Sequence, residues 1–156
     1  FIAGCGVPID SVMADFISGA IEQISPARLN GGWDLIEGQG SLFHPSYAGV
    51  SFGLLHGAQP DALVLCHEPT RQHMRGLPDY PVPELKLCLE ANLAAARLTN
   101  PAVKAVGVAL NTSGLSKPDA AAACRQISDL LELPCQDPVS TGVDAIVDNL
   151  LACCAN

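Results

Sequence analysis

Two short, continuous apolar runs, residues 62–66 (ALVLC) and 105–110 (AVGVAL), constrain this chain most. Neither alternates with polar residues, so each predicts a strand covered on both faces, the pattern of parallel sheets roofed by helices. Helical periods follow each run. One occupies residues 84–98 and closes at Asn100-Pro101. The next runs from Ser116 to Leu131, with Asp119 three residues after Ser116 in the manner of a capping box. Thr141 and Asp144 repeat that pattern before a terminal helix expected to turn Val143, Ile146, Val147, Leu150 and Leu151 inward. Upstream, Asp10 is placed to N-cap a helix with Val12, Met13, Phe16, Ile17, Ala20, Ile21 and Ile24 inside, ended by Pro26 and an Asn30-Gly31-Gly32 turn. Residues 33–37 read as a further short strand, 42–59 as a long loop, 67–83 as irregular and polar, and 134–139 as a short extended piece. This rhythm predicts an α/β fold, a mostly parallel sheet with helices on both faces. Ligands of such sheets bind outside the carboxyl ends of the strands, which singles out loops 38–59, 67–83 and 111–116.

Composition narrows the partners. Across 156 residues, 49% are hydrophobic and 15% charged, too apolar for a disordered chain. Sixteen Asp and Glu against eight Lys and Arg leave no basic surface for nucleic-acid phosphates. No apolar run approaches the ~20 residues that span a bilayer. A cytoplasmic protein with a small-molecule partner is expected, with homo-oligomerisation left open. Seven cysteines without a C-x-x-C pair read as reduced thiols. The chain opens at Phe1 in FIAGCGVPID, which lacks the charged start of a secretory signal and reads as the interior of a larger domain.

Glu37, Gly38, Gln39, Gly40 and Ser41 form the first candidate site. A carboxylate at a strand end followed by glycines suits a Mg²⁺ ligand beside backbone N–H groups that approach an anion; a solvated Glu before a tight turn is the even alternative. His44 and Ser46 follow in the same loop as a candidate base and substrate contact, although a loop His is more often a plain surface residue. Residues 67–75 are denser, with His67, Glu68, Arg71, His73 and Arg75 directly after a strand. Guanidinium groups there suit bidentate binding of a carboxylate or phosphate. Asn111 and Thr112 follow the next strand, where an amide and a hydroxyl can contact a ligand or merely shape a turn. No His or Cys spacing fits a structural zinc site, and no G-x-x-x-x-G-K-[ST] phosphate loop is present.

Several stretches together resemble one bacterial family: GVPIDSVMADFISGAIE, WDLIEGQGSLFHPSYAGVSFGLLHGAQPDALVLCHEP, the RQHMRGLPDYPVP loop and ARLTNPAVKAVGVALNTSGL. That family was long carried as a domain of unknown function with a P-loop-type fold and is now associated with D-glutamate N-acetyltransferase activity. The resemblance covers nearly the whole chain. It implies a P-loop NTPase-like three-layer sandwich similar to dethiobiotin synthetase. It also implies that residues 1–156 are a partial, N-terminally truncated P-loop-type domain, without its phosphate-binding loop and the Rossmann-like domain that precedes it in the family. By the same likeness Glu37 corresponds to a Glu near Mg²⁺ and phosphate, and Asn111 to an Asn near the nucleotide base.

The expected function is N-acetyl transfer from acetyl-CoA to the amino group of an acidic D-amino acid, D-glutamate. Glu37, His44 and His67 are the candidate catalytic residues, with Glu37 also the candidate metal ligand. Ser46, Arg71, His73 and Arg75 are expected to contact the acceptor. Gly38, Gln39, Gly40, Ser41, Asn111 and Thr112 are expected to hold the donor. Two alternatives stand beside this: an ATP- and Mg²⁺-dependent ligase or kinase, and a non-catalytic nucleotide- or CoA-binding module.

Overall fold

A computed structural model describes residues 6–27 and 31–154. The opening FIAGC with Cys5, and Asn30 of the expected turn, lie outside the described residues. Two 3₁₀ turns, Ile9–Ser11 and Ala14–Phe16, precede α1 (Ile17–Ile24), α2 (Ala48–Ala58), β1 (Ala62–His67), β2 (His73–Met74), β3 (Leu77–Pro81), α3 (Leu85–Ala96), β4 (Lys104–Leu110), α4 (Lys117–Leu131), β5 (Cys135–Gln136) and α5 (Asp144–Cys154). The chain divides into two compact units, one of Phe1–Pro60 with Ala94–Pro101, the other of Asp61–Leu93 with Ala102–Asn156.

The first unit is built on α1 against α2. Ile17 and Ile21, one turn apart, are buried. Their partners are glycines: a Cβ on Gly53 would come within 2.5 Å of Ile17 Cγ2, and one on Gly57 within 2.4 Å of the Ser18 carbonyl oxygen. Ser18 Oγ donates to the Gly53 carbonyl at 3.0 Å. Glycine disfavours a helix by about 1 kcal/mol relative to alanine, which is why residues 42–59 read as a loop. Close packing on α1 overrides that propensity, and residues 48–58 are helical. Gln59, at φ 45°, ends α2 in the left-handed region and its amide donates to Glu22 Oε1 at 2.9 Å.

Three further expectations change in this unit. The helix predicted from Asp10 begins only at Ile17, because residues 9–16 close as 3₁₀ turns. Met13, Phe16 and Ile24 of its expected inner face are exposed. Residues 33–37 form no strand, and Leu35 is 89% exposed, with Trp33 and Ile36 also open. An apolar extended segment becomes a strand only when a neighbour takes up its N–H and C=O groups.

The second unit holds a three-stranded parallel sheet in the order β1-β4-β5, flanked by helices. Central β4 buries Val106, Val108 and Leu110 almost completely, as its apolar run predicts. Strand β1 is at the edge of the sheet among the described residues, and Val64 and Cys66, which share one of its faces, are exposed instead of covered. The stretch after β1, expected to be irregular, contains an antiparallel β2–β3 hairpin in which Met74 pairs with Leu77 and Gly76 turns the chain at φ 76°.

Ser116 caps α4 as expected, its Oγ accepting from the Asp119 N–H at 3.3 Å. Thr141 does not cap α5. Gln136 Oε1 does so from β5, accepting from the Ala145 N–H at 2.9 Å and the Ile146 N–H at 3.3 Å. Of the five expected inward residues of α5 only Ile146 is buried. It fits against Gly107 of β4, where a Cβ would stand 2.8 Å from Ile146 Cγ2. No helix among the described residues is long and apolar enough to cross a membrane.

Two glycines of α2, about two helical turns apart, test the α1–α2 contact. Gly57→Ala drives a methyl into the Ser18 carbonyl and is expected to cost at least ~2 kcal/mol. Gly49→Ala meets nothing within 4 Å and is expected to be neutral or stabilising by up to ~1 kcal/mol. Urea unfolding of both variants checks the contrast.

Candidate functional site

The parallel sheet brings three loop starts to one edge. Strands β1, β4 and β5 all point the same way, with His67 opposite Leu110 and Ala109 opposite Gln136. Residues 67, 111 and 137 therefore leave the sheet side by side at its carboxyl end. The backbone N–H of Asn111 donates to the His67 carbonyl at 2.8 Å. A Cβ on Gly114 would touch Thr70 Cγ2 at 3.3 Å, so the loops after β1 and β4 lie against each other.

His67 is half-buried. Burial and the Arg71 guanidinium hold its imidazole below the usual 6.5, against an opposing pull from Glu68. Burial removes water from the charged form and Arg71 repels it, so the ring is neutral at pH 7 and able to accept a proton. Arg71 pairs with Glu68 through its guanidinium, and Thr70 Oγ1 donates to the same carboxyl at 3.4 Å. His73 is exposed on β2, its Nδ1 3.1 Å from the Met74 carbonyl, and Arg75 is exposed at the hairpin turn.

Asn111 Oδ1 accepts from the Ser113 N–H at 3.1 Å, closing a small turn. Thr112 is 5% exposed, and both of its donors go to Asp137 Oδ2, the N–H at 3.0 Å and the hydroxyl in a shorter bond. Asp137 was not legible as a site residue. It is 5% exposed, and its other oxygen accepts from the Val139 N–H at 2.8 Å and the Ser140 N–H at 3.1 Å. Those bonds, the Thr112 hydroxyl foremost, hold its carboxyl far below the usual 3.8 despite burial. The run Asp-Pro-Val-Ser-Thr is a turn signature that points to the Asp–backbone bonds. Nothing local points to Thr112, 25 residues away.

Residues 37–46 belong to the first unit. Glu37 is exposed, and the space around Gly38 is open. Gly40 sits at φ 57°, where a Cβ would also lie 2.9 Å from Tyr47 Cβ, so only glycine serves this turn. The Gln39 carbonyl accepts from Ser51 Oγ, and Ser41 Oγ accepts from the Phe43 N–H at 3.2 Å. His44 is 7% exposed, its Nδ1 accepts from the Ser46 N–H at 3.1 Å, and its ring lies 4.5 Å from that of Tyr47, tilted by 38°. That bond engages the Nδ1 lone pair of the ring. Ser46 is exposed. Among the described residues no three His, Cys, Asp or Glu side chains gather as a metal centre. Glu37 is a single exposed carboxylate, which could hold Mg²⁺ only together with a ligand phosphate and water.

The depressed Asp137 carboxyl has a definite sign. Its folded value lies below the unfolded one, so its contribution is complete above about pH 4 and is lost as the pH falls toward the folded value. Asp137→Asn is expected to cost ~2–3 kcal/mol at pH 7, the range for hydrogen bonds to a charged group. Its unfolding free energy should then fall less steeply than that of the unsubstituted protein between pH 4 and pH 2, as read by urea titrations across that range.

Comparison with known proteins sets these loops in a family. The profile of DUF1611, described as a domain of unknown function (DUF1611_C) P-loop domain, matches residues 1–147. A protein named D-glutamate N-acetyltransferase from Pseudoalteromonas sp is 54% identical over 149 residues, covering 96% of this chain and 45% of the relative. One of the same name from Tritonibacter scottomollicae is 50% identical over 151 residues, covering 97% of this chain and again 45% of the relative. The crystal structure of a DUF1611 family protein from Anabaena variabilis ATCC 29413 superposes with a TM-score of 0.85 at 35% identity, over 96% of this chain and 44% of that one. The chain thus spans less than half the length of each of these relatives. It belongs to the DUF1611 family, and its described α/β unit is part of that family's P-loop domain.

Proposed function

We propose that this chain serves an N-acetyltransferase that moves acetyl from acetyl-CoA to the amino group of D-glutamate. The observation that carries the reading is its identity of 54% and 50%, along almost its whole length, to two proteins named for that activity. In the reaction the amine nitrogen attacks the thioester carbonyl carbon, the C–S bond breaks, and the proton lost by nitrogen ends on the CoA thiolate. An ammonium group cannot attack, so a neutral base must first take its proton.

His67 is suited to that step, since burial and Arg71 keep its imidazole neutral near pH 7. Arg71, His73 and Arg75 supply cationic and polar contacts for the two acceptor carboxylates, with Arg71 exchanging Glu68 for a substrate carboxylate. Asn111 offers its amide to the donor at the carboxyl end of β4. Gly38, Gln39, Gly40 and Ser41, with Glu37, His44 and Ser46, enter the proposal by sequence alone, as donors of backbone N–H to phosphate or thioester oxygen and as polar contacts. We infer a cytoplasmic location, where acetyl-CoA is supplied.

The test is release of CoA thiol by the whole protein with acetyl-CoA and either enantiomer of glutamate. D-glutamate-dependent release is expected. ATP hydrolysis that requires Mg²⁺, with no thiol release, would overturn the reading in favour of a ligase or kinase. His67→Asn is expected to lower kcat by ~10²-fold or more. In the unsubstituted protein the acid limb of kcat/KM should lie below pH 6.5, because protonating His67 removes the base and its folded value is lowered.

A further inference from the structure

The acetyl-transfer reading leaves one buried charge unused. Asp137 takes four donors: the Thr112 N–H and hydroxyl on Oδ2, and the Val139 and Ser140 N–H groups on Oδ1. Its backbone is held as well, since its N–H donates to Thr141 Oγ1 at 3.2 Å and its carbonyl accepts from that hydroxyl at 3.0 Å and from the Thr141 N–H at 2.9 Å. A buried carboxylate is stable only when fully satisfied, and an apolar side chain would fill the same space at less cost. What the carboxylate adds is geometry.

That geometry has a direction. Strands β4 and β5 are paired at Val108 with Cys135 and at Ala109 with Gln136. The Asp137–Thr112 bonds extend the tie beyond the end of the sheet. Asn111 is the residue caught between two anchors. Its own N–H is bonded to the His67 carbonyl, and the next residue is bonded to Asp137. Its Oδ1 is turned back on the Ser113 N–H, which leaves its own Nδ2 hydrogens to donate elsewhere.

We propose that Asp137 is a positioning residue: through Thr112 it holds the loop 111–114 so that the Asn111 amide meets a carbonyl or phosphate oxygen of the acyl donor. This rests on the acetyl-transfer reading. Asp137 touches no substrate and moves no proton. Its effect is on donor affinity, which separates it from His67, whose effect is on the proton-transfer step.

Thr112→Val keeps the shape of the side chain and the backbone N–H bond but removes the hydroxyl. Assayed in the whole protein, T112V should raise KM for acetyl-CoA roughly fivefold, the loss of about one hydrogen bond's worth of preorganisation, with kcat unchanged. The melting temperature should move by no more than ~5 °C. Thr112→Ser, which restores the hydroxyl, should return KM to near the starting value. If T112V does not fold, Thr112→Ala removes the same hydroxyl and carries the same expectation. An unchanged KM for acetyl-CoA in the folded variant overturns the assignment, and so does an equal change in T112S. Failure of the unsubstituted protein to transfer acetyl from acetyl-CoA overturns the acetyl-transfer reading and this assignment with it.

Discussion

Strand β4 is hydrogen-bonded along both edges, to β1 on one side and β5 on the other, and its side chains are buried against the helices that flank it. Everything at the carboxyl end of the sheet inherits its position from that strand. Because all three strands run parallel, their ends present His67, Asn111 and Asp137 in a row, and each loop starts from a fixed point. The fixed starts matter more than the loops' own residues, since loop side chains act with precision only when the backbone beneath them cannot drift. Asp137 adds a charged tie where the sheet ladder stops, between two loops that hydrogen bonds of the ladder no longer reach.

In the other unit the organising constraint is steric. Glycines on α2 let α1 approach until a methyl group has no room at Gly53 or Gly57. The helix-forming cost of those glycines is offset by the burial of Ile17 and Ile21 that they permit. Gly107 works in the same way under Ile146 in the sheet unit. Helices of this chain are thus placed largely by what is missing from the surface they meet.

The electrostatics follow the same economy. With sixteen acidic residues against eight basic ones, most charges are solvated. Where a charge is drawn in, it is given enough donors to remain ionised, as Asp137 is. Where a histidine is drawn in without them, as His67 is, it is kept neutral by burial and by a neighbouring guanidinium. The two outcomes lie at the carboxyl ends of β1 and β5, on either side of β4.

Strands β1 and β4, the helices α3 and α4 and the Ser116 cap were legible in the sequence. Each depends on residues a few positions apart: an unbroken apolar run, a helical period, or a hydroxyl three residues ahead of the N–H it accepts from. The loops 67–75 and 111–112 were legible as candidates for the same reason, because they follow apolar runs directly. Tertiary structure alone decided that residues 48–58 are a helix, that residues 33–37 join no strand ladder among the described residues, and that Gln136 instead of Thr141 caps α5. It alone joined Thr112 to Asp137. The reason is common to all four. In each, what a backbone group, a glycine face or a carboxylate meets lies at a distance along the chain that no local pattern records, and only folding decides it.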